Sequence, residues 1–196
     1  MKFRLPAPAT IGLAAVGLAA GLTPVALATD APQAQPWTVE HAGSSLGYTF
    51  VADGASIDGT FGGWEAEIAF DPDNLEHSAV LVTIDMTTAD SGDPTRDDPL
   101  LDDNWFATAM YPTATFATTS ITTDGNAYVA SGGLTIRDHT EQVELPFTLV
   151  IEGDMAMMQG SVTINRQDFG LGEGSWQERS VAPEVQVNVA VTATKG

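Results

Sequence analysis

The clearest pattern in the chain is an alternation of apolar and polar residues between positions 130 and 171. From 143 to 151 the apolar residues occupy every second position, and polar residues take several of the positions between them. A period of two places these apolar side chains on one face of a β-strand, whereas an α-helix would distribute them around its axis. The pattern therefore predicts strands of a half-buried antiparallel sheet at 130–136, 143–151 and 157–166.

The same alternation recurs along most of the chain. It predicts further strands at 37–39, 45–50, 57–61, 64–70, 80–86, 114–121 and 185–192, and it extends the strand at 130–136 back to 127. An all-β chain with roughly eight to ten such strands favours a closed antiparallel β-barrel of the lipocalin-like type over a sandwich, because closure alone removes the exposed sheet edges.

Residues 90–112 interrupt the alternation. Asp93-Pro94 and Asp98-Pro99 each combine an N-cap residue with a proline suited to the first position of a helix. A short helical insertion is therefore predicted near 93–108. Its apolar side suggests a plug or lid over the barrel.

The first 28 residues have the features of a cleaved signal peptide. Lys2 and Arg4 form a short basic region, an apolar run follows at 11–22, and small residues at 26–28 make an A-x-A cleavage site. A retained transmembrane anchor is the alternative, but the apolar run is shorter than the roughly 20 residues that a spanning helix needs. We expect export to the periplasm, a flexible N-terminal lead at 29–36 and one barrel domain at 37–196.

Charge and composition argue against several classes of function. The chain has 7 basic and 26 acidic residues, and loss of the leader removes two basic residues and no acid, so the formal charge moves from -19 to -21. Such a surface disfavours nucleic acid and anionic lipid surfaces, since both are bound by clustered Lys and Arg. With no cysteine, disulfides, thiolate metal sites and cysteine nucleophiles are excluded.

Two kinds of barrel fit the alternation. An outer-membrane barrel carries its apolar residues outside, and a lipocalin-like barrel carries them inside. Glu65 and Glu67 share the face opposite the apolar residues of their strand, where they would be costly against lipid. Because no aromatic girdle recurs at both strand ends either, the barrel with an apolar interior is favoured.

Several segments together resemble a known family. They are WTVEHAGSSLGYTF at 37–50, GTFGGWEAEIAFDPDN at 59–74, RDDPLLDDNWFATAMYPTATF at 96–116, GGLTIRDHTEQVELPF at 132–147 and INRQDFGLG at 164–172. In order and spacing they resemble the YceI-like family of exported polyisoprenoid-binding proteins. Asp138-His139-Thr140 stands where many members have Gly-Val-Thr. The resemblance implies an eight-stranded barrel extended by a helix. It also implies an apolar tunnel that holds a polyprenyl chain, an isoprenoid quinone or a similar amphiphile, and no established enzymatic activity.

The predicted inward faces combine large side chains with small ones. The expected lipid-binding residues are Leu46, Tyr48, Phe50, Phe61, Trp64, Ile68, Val82, Ile84, Trp105, Phe106, Phe116, Gly132, Leu134, Phe147, Leu149, Val162 and Ile164. Small residues at inward positions should leave room for a ligand, namely Gly59, Ala66, Ala114, Ala130, Gly132 and Gly160. Ordinary core packing is the alternative for each aromatic residue.

Two arginines are candidates for contact with a ligand head group. Arg166 continues the inward parity of Val162 and Ile164, and a buried arginine is usually paired. It could therefore contact a quinone carbonyl or a phosphate at the tunnel mouth, as could Arg137. The alternative is an internal bridge from Arg166 to Asp168, or from Arg137 to a carboxylate.

Catalytic and metal motifs are weak. Residues 43–47 fit G-x-S-x-G with His41 nearby, but strand alternation follows where a nucleophile elbow needs a helix. The three histidines lie far apart, and the aspartates of 90–103 lack the spacing of a calcium loop. We predict no catalytic residue, no metal and no cofactor apart from a bound isoprenoid lipid or quinone.

Three functions remain open at this point. The first is a carrier or scavenger of a long isoprenoid lipid. The second is an acidic interaction module that docks on a membrane redox protein such as a b-type cytochrome. The third is an enzyme that acts on the bound lipid. A homodimer is left open as well.

Overall fold

The computed structural model describes residues 34–172 and 181–196. The signal peptide and most of the N-terminal lead expected from the sequence lie outside these residues. The strands are β1 (Pro36–Val39), β2 (Ser45–Ala52), β3 (Ala55–Phe61), β4 (Trp64–Ala69), β5 (Ala79–Asp85), β6 (Ala89–Asp90), β7 (Thr113–Asp124), β8 (Ala127–Ile136), β9 (His139–Glu152), β10 (Met155–Asn165) and β11 (Val181–Lys195), and the helix is α1 (Pro94–Leu100).

Within these residues, eight strands form a closed antiparallel ring in the order β1-β4-β5-β7-β8-β9-β10-β11. The ring closes where Trp37 of β1 pairs with Lys195 of β11. Closure gives every strand of the ring a partner on each side, which removes the open edges of a flat sheet. The predicted closed antiparallel barrel is confirmed.

The long strand β11 carries an extension of the sheet. Its C-terminal end pairs with β1, while residues 181–190 pair with β2. β2 pairs in turn with β3, and β3 with the short strand β6. The turn between β2 and β3 is Asp53-Gly54, in which both residues have positive φ, 50° and 79°. A turn of that kind matches the twist of a hairpin.

The helix is shorter than predicted. α1 begins at Pro94 after the N-cap residue Asp93 and ends at Leu100, whereas the sequence predicted a helical insertion up to 108. The second N-cap signal, Asp98-Pro99, lies inside this helix instead of starting another one. Pro99 lacks a backbone N–H and crowds the preceding turn, which favours an early end. Residues 101–111 form successive turns, with Ala107 at a φ of 49°.

Several strand boundaries also differ from prediction. β1 starts one residue early, at Pro36, and β9 starts at His139 instead of residue 143. The first residues of β9 are exposed at the barrel rim, where both faces are wet and no alternation marks the strand. β10 ends at Asn165, so Arg166 lies in the 3₁₀ turn Arg166–Phe169 and not on the predicted strand.

The interior consists of two buried clusters joined along the barrel. One includes Met86, Trp105 and Phe169, and the other includes Trp37 and Phe70. Phe116 and Val162 pack against both clusters. The helices in the described residues are all too short or too polar to cross a membrane.

Candidate ligand cavity

The barrel encloses an elongated cavity of about 450 Å³. Side chains from all eight strands of the ring, from β2 and β3, and from α1 line it, and nearly all of them are apolar. The volume lies within the range of roughly 300–1,000 Å³ that is common for small-molecule sites. An apolar lining with few polar groups binds a ligand through buried area and not through many directed bonds.

The predicted lining residues lie where the alternation placed them. All of them except Gly132 contribute side chains to the cavity wall, from Leu46 on β2 to Ile164 on β10. Trp105 and Phe106 reach the cavity from the turns after α1. Their contact with a lipid stays a prediction.

Part of the cavity wall was not predicted from the sequence. Val187, Val189 and Val191 of β11 line the cavity, and their alternation in the sequence was a usable signal. Arg96 and Leu100 of α1 also line it. Leu100 belongs to the apolar side that the sequence predicted for this segment, whereas a charged residue such as Arg96 is ordinarily expected to face water.

The inward glycines do not create the free space that the sequence suggested. A Cβ on Gly59 would lie 2.3 Å from the ring of Tyr48, and one on Gly132 would lie 2.4 Å from the carbonyl oxygen of Ala117. A Cβ on Gly160 would lie 2.7 Å from the carbonyl oxygen of Pro146. These glycines accommodate neighbouring atoms of the wall. Of the small residues, the alanines at 66, 114 and 130 border the cavity.

Arg166 points inward, as its parity predicted, but the predicted bridge to Asp168 is wrong, and its contact with a ligand head group stays a prediction. Its side chain is 2 % exposed and donates hydrogen bonds to backbone carbonyls: Nε to Ala182 at 3.1 Å, Nη2 to Val181 at 2.9 Å, and Nη1 to Leu171 and Gly172. Burial lowers the pKa of this guanidinium. These four carbonyl acceptors compensate the buried charge, and no carboxylate of the described residues pairs with it.

Arg166 and Arg137 connect two groups of turns at one end of the barrel. The Arg166 guanidinium lies 5.3 Å from the centre of the Trp105 ring, a cation–π distance. Arg137 Nη1 donates to the carbonyls of Gly170 at 2.9 Å and Trp105 at 3.3 Å. Among the described residues no carboxylate bonds Arg137, so the predicted bridge is not found there, and Arg137 does not line the cavity. Both arginines hold the turns around 105 against those around 171.

The serine motif has the local structure that its alternation indicated. A 3₁₀ turn at His41–Gly43 leads directly into strand β2, so no helix follows the serine. Ser45 is exposed, and His41 packs edge-on against Trp64 with 5.1 Å between ring centres. Within the described residues, no three His, Asp or Glu side chains come together as a metal site would require.

Comparisons with known proteins agree with this architecture. The model of the YceI-like domain matches residues 37–193. BcnA of Burkholderia cenocepacia superposes with a TM-score of 0.76 at 31 % identity, over 80 % of this chain and 99 % of that one. A polyisoprenoid binding domain from Saccharophagus degradans gives a TM-score of 0.62 at 14 % identity, over 83 % and 99 % of the two chains.

A sequence comparison with a known protein agrees with the structural comparisons. A UPF0312 protein of Pectobacterium atrosepticum is 28 % identical over 132 residues, which are 64 % of this chain and 66 % of that protein. The match thus spans just under two thirds of the relative's length. With the family model matched over nearly all of the barrel, the chain belongs to the YceI-like family.

Proposed function

We propose that this protein binds a long isoprenoid lipid, a polyprenyl chain or an isoprenoid quinone, in its barrel cavity and carries it in the periplasm. The observation that carries the proposal is the cavity itself, an apolar space bordered by all eight strands of the ring. Each Å² of apolar ligand surface buried there contributes about 25 cal/mol. A flexible prenyl chain has that kind of surface and needs few directed bonds.

The comparisons support the same ligand class. The superposed Saccharophagus degradans domain is described as polyisoprenoid binding. Its low identity establishes a shared fold, and the extension of its ligand class to this chain is our proposal. The periplasmic location is also proposed, on the signal peptide at 1–28. Cell fractionation with N-terminal sequencing of the mature protein tests it.

Extraction of the purified protein tests lipid binding directly. Native mass spectrometry should show a bound species, and organic extraction should release a prenyl lipid at about one molecule per barrel. A wild-type protein purified folded and free of lipid, which also fails to take up an added prenyl lipid, would contradict the proposal.

A pair of alanines provides a matched control for that experiment. Ala66 lines the cavity, whereas Ala117 is exposed on the outer face of the barrel. Ala66→Leu should fill cavity space and reduce the recovered lipid several-fold, and Ala117→Leu should leave it unchanged. Equal recovery from the two variants would place the lipid outside the cavity.

The acidic surface supports a second candidate. With 26 acidic against 7 basic residues, the chain suits a basic partner, and docking on a membrane redox protein such as a b-type cytochrome stays a prediction. Such docking should weaken with salt, so co-purification from membranes at low salt that disappears at 0.5 M NaCl would favour it. A homodimer likewise stays a prediction, which light scattering can decide.

A further inference from the structure

Tyr48 is part of the cavity wall, and its hydroxyl oxygen is buried. It lies on β2, its residue is 7 % exposed, and its ring crosses Gly59 of the neighbouring strand. The ring centre lies 5.1 Å from that of Phe61 and 6.1 Å from that of Phe50. The ring is thus held by aromatic neighbours and by the absence of a side chain at Gly59, which fixes where the hydroxyl sits.

The Tyr48 hydroxyl has no hydrogen-bond partner among the residues that the structure describes. A buried hydroxyl without a partner costs about 1–3 kcal/mol. A phenylalanine would make the same aromatic contacts without that cost. The hydroxyl therefore indicates a partner that enters with a ligand.

Other polar groups of the cavity wall already have partners within the protein. The Thr95 hydroxyl and the Arg96 guanidinium both bond the carboxylate of Asp93, at 2.8 and 3.0 Å. The Thr118 hydroxyl bonds the backbone of β5, and Arg166 bonds backbone carbonyls. The tyrosine hydroxyl is left as the buried donor that a ligand can use.

The charges around Tyr48 determine which ligand group suits it. Burial, followed by the nearby carboxylates of Asp97 and Asp90, raises the pKa of Tyr48 to about 12, although Arg96 acts in the opposite direction. The hydroxyl therefore stays protonated and can donate a hydrogen bond at neutral pH. A phosphate or carboxylate at this position would face Asp90 and Asp97, and Arg96 is already paired with Asp93.

From these contacts we infer that the Tyr48 hydroxyl binds the polar head of the ligand and selects an uncharged hydrogen-bond acceptor, such as a quinone carbonyl, over an anionic head. The inference rests on the proposed lipid-binding function and specifies the head group of that lipid. It also orients the lipid, with its head beneath α1 and its tail directed along the barrel toward Trp37.

Three probes with the same prenyl tail separate head-group recognition from tail binding. They are a prenylated benzoquinone, the corresponding hydrocarbon and the corresponding prenyl phosphate. Wild-type protein should bind the quinone about tenfold more tightly than the hydrocarbon, as one buried hydrogen bond allows, and should bind the phosphate less tightly than the quinone. Tyr48→Phe should lose the preference for the quinone and keep its affinity for the hydrocarbon.

Tyr128→Phe is the matched control. Tyr128 stacks on Phe147, with 5.3 Å between ring centres, and does not line the cavity. Its variant should bind all three probes as the wild type does. In infrared spectra, the quinone carbonyl band should lie at lower frequency in the wild type and in Tyr128→Phe than in Tyr48→Phe. Ligand-free Tyr48→Phe should unfold at a temperature no lower than that of the wild type.

The outcomes distinguish the two proposals. Wild-type protein that binds neither the quinone nor the hydrocarbon overturns the lipid-binding function, and the head-group inference with it. Binding of the hydrocarbon with unchanged quinone affinity in Tyr48→Phe overturns only the head-group inference. Tighter binding of the phosphate than of the quinone overturns the selection of an uncharged head.

Discussion

At the scale of single residues, Arg166 is a structural group whose removal should destabilise the barrel. In Arg166→Met the carbonyls of Leu171, Val181 and Ala182 lose a buried donor. Each orphaned acceptor costs about 1–3 kcal/mol, so the free energy of unfolding should fall by at least about 3 kcal/mol. Urea denaturation monitored by tryptophan fluorescence measures it.

Arg96 provides the control for that substitution. Its side chain is 39 % exposed and pairs with a similarly exposed Asp93. Arg96 also donates to the hydroxyl and the carbonyl of Ser91, at 3.2 and 3.1 Å. Because these partners are partly accessible to water, Arg96→Met should cost less than Arg166→Met. Wild-type stability in Arg166→Met would show that the carbonyl contacts do not stabilise the barrel. If that stable variant also failed to bind lipid, the result would support contact of Arg166 with the ligand head group.

The inward glycines give a second prediction at the residue scale. A Cβ on Gly132 would meet backbone atoms of Ala117 at 2.4 Å, so Gly132→Ala must move β7 away from β8. Overpacking of this kind typically costs about 1–3 kcal/mol. On Gly133 a Cβ would meet only the ends of the Thr140 and Gln142 side chains, at 3.3 Å or more. In thermal unfolding, Gly132→Ala should lower the unfolding temperature clearly, and Gly133→Ala should lower it only slightly.

The sequence predicted the direction of these residues but not their partners. A period of two determines which face of β8 Gly132 occupies, and the parity of β10 carries over to Arg166 in the turn directly after that strand. The carbonyls that Arg166 binds come from residues 171 and 181, which the turn geometry brings to it. Side-chain charge patterns contain no information about backbone acceptors, so an Asp168 partner was the natural expectation and a wrong one.

At the scale of elements, the stability of α1 depends on its N-cap and therefore on pH. The side-chain hydrogen bond from Thr95 and then its backbone N–H lower the pKa of Asp93 below the usual value. A carboxyl group with a lower pKa in the folded state contributes stability above its unfolded pKa and loses it as pH falls through the folded one. Relative to the intrinsic exchange rate, which itself slows in acid, the amides of α1 should therefore lose protection as pH falls below about 3.9, the ordinary aspartate value.

Two variants distinguish the effect of the capping hydrogen bond of Asp93 from that of its negative charge. Asp93→Asn keeps an oxygen that can accept from Thr95 but removes the titration. The protection of the α1 amides should therefore no longer depend on acid. Asp93→Ala removes the cap and should leave α1 poorly protected at every pH. Because α1 residues line the cavity, lipid exchange should also be faster in the alanine variant. Acid-sensitive exchange in Asp93→Asn would point to another carboxylate.

Elements with a regular apolar face were predicted well, and elements at the rim were not. The ring strands β7 to β11 follow alternation that the sequence shows directly. The start of β9 at His139 is exposed on both faces, the strand β6 has only two residues, and the end of α1 lies where a proline competes with a cap. Local patterns cannot resolve boundaries that pairing across the barrel decides.

At the scale of the whole molecule, the excess of acidic residues should make stability and association respond oppositely to salt. A formal charge of -19 opposes the compact state through self-repulsion, and salt screens exposed charges over about 10 Å at 0.1 M. The unfolding temperature of the ligand-free protein should therefore rise by a few degrees between 10 mM and 0.5 M NaCl, measured by differential scanning calorimetry.

Lipid occupancy and protein docking can be separated in the same titration. An uncharged prenyl lipid inside the apolar cavity interacts little with the surface charge, so its affinity should change less than about twofold over that salt range. Docking of the acidic surface on a basic membrane protein should weaken by an order of magnitude or more, because close charge pairs at the rim govern encounter. If lipid uptake from vesicles falls with salt as steeply as docking does, delivery of the lipid requires the docked partner. If uptake is unaffected, the barrel loads its ligand without one.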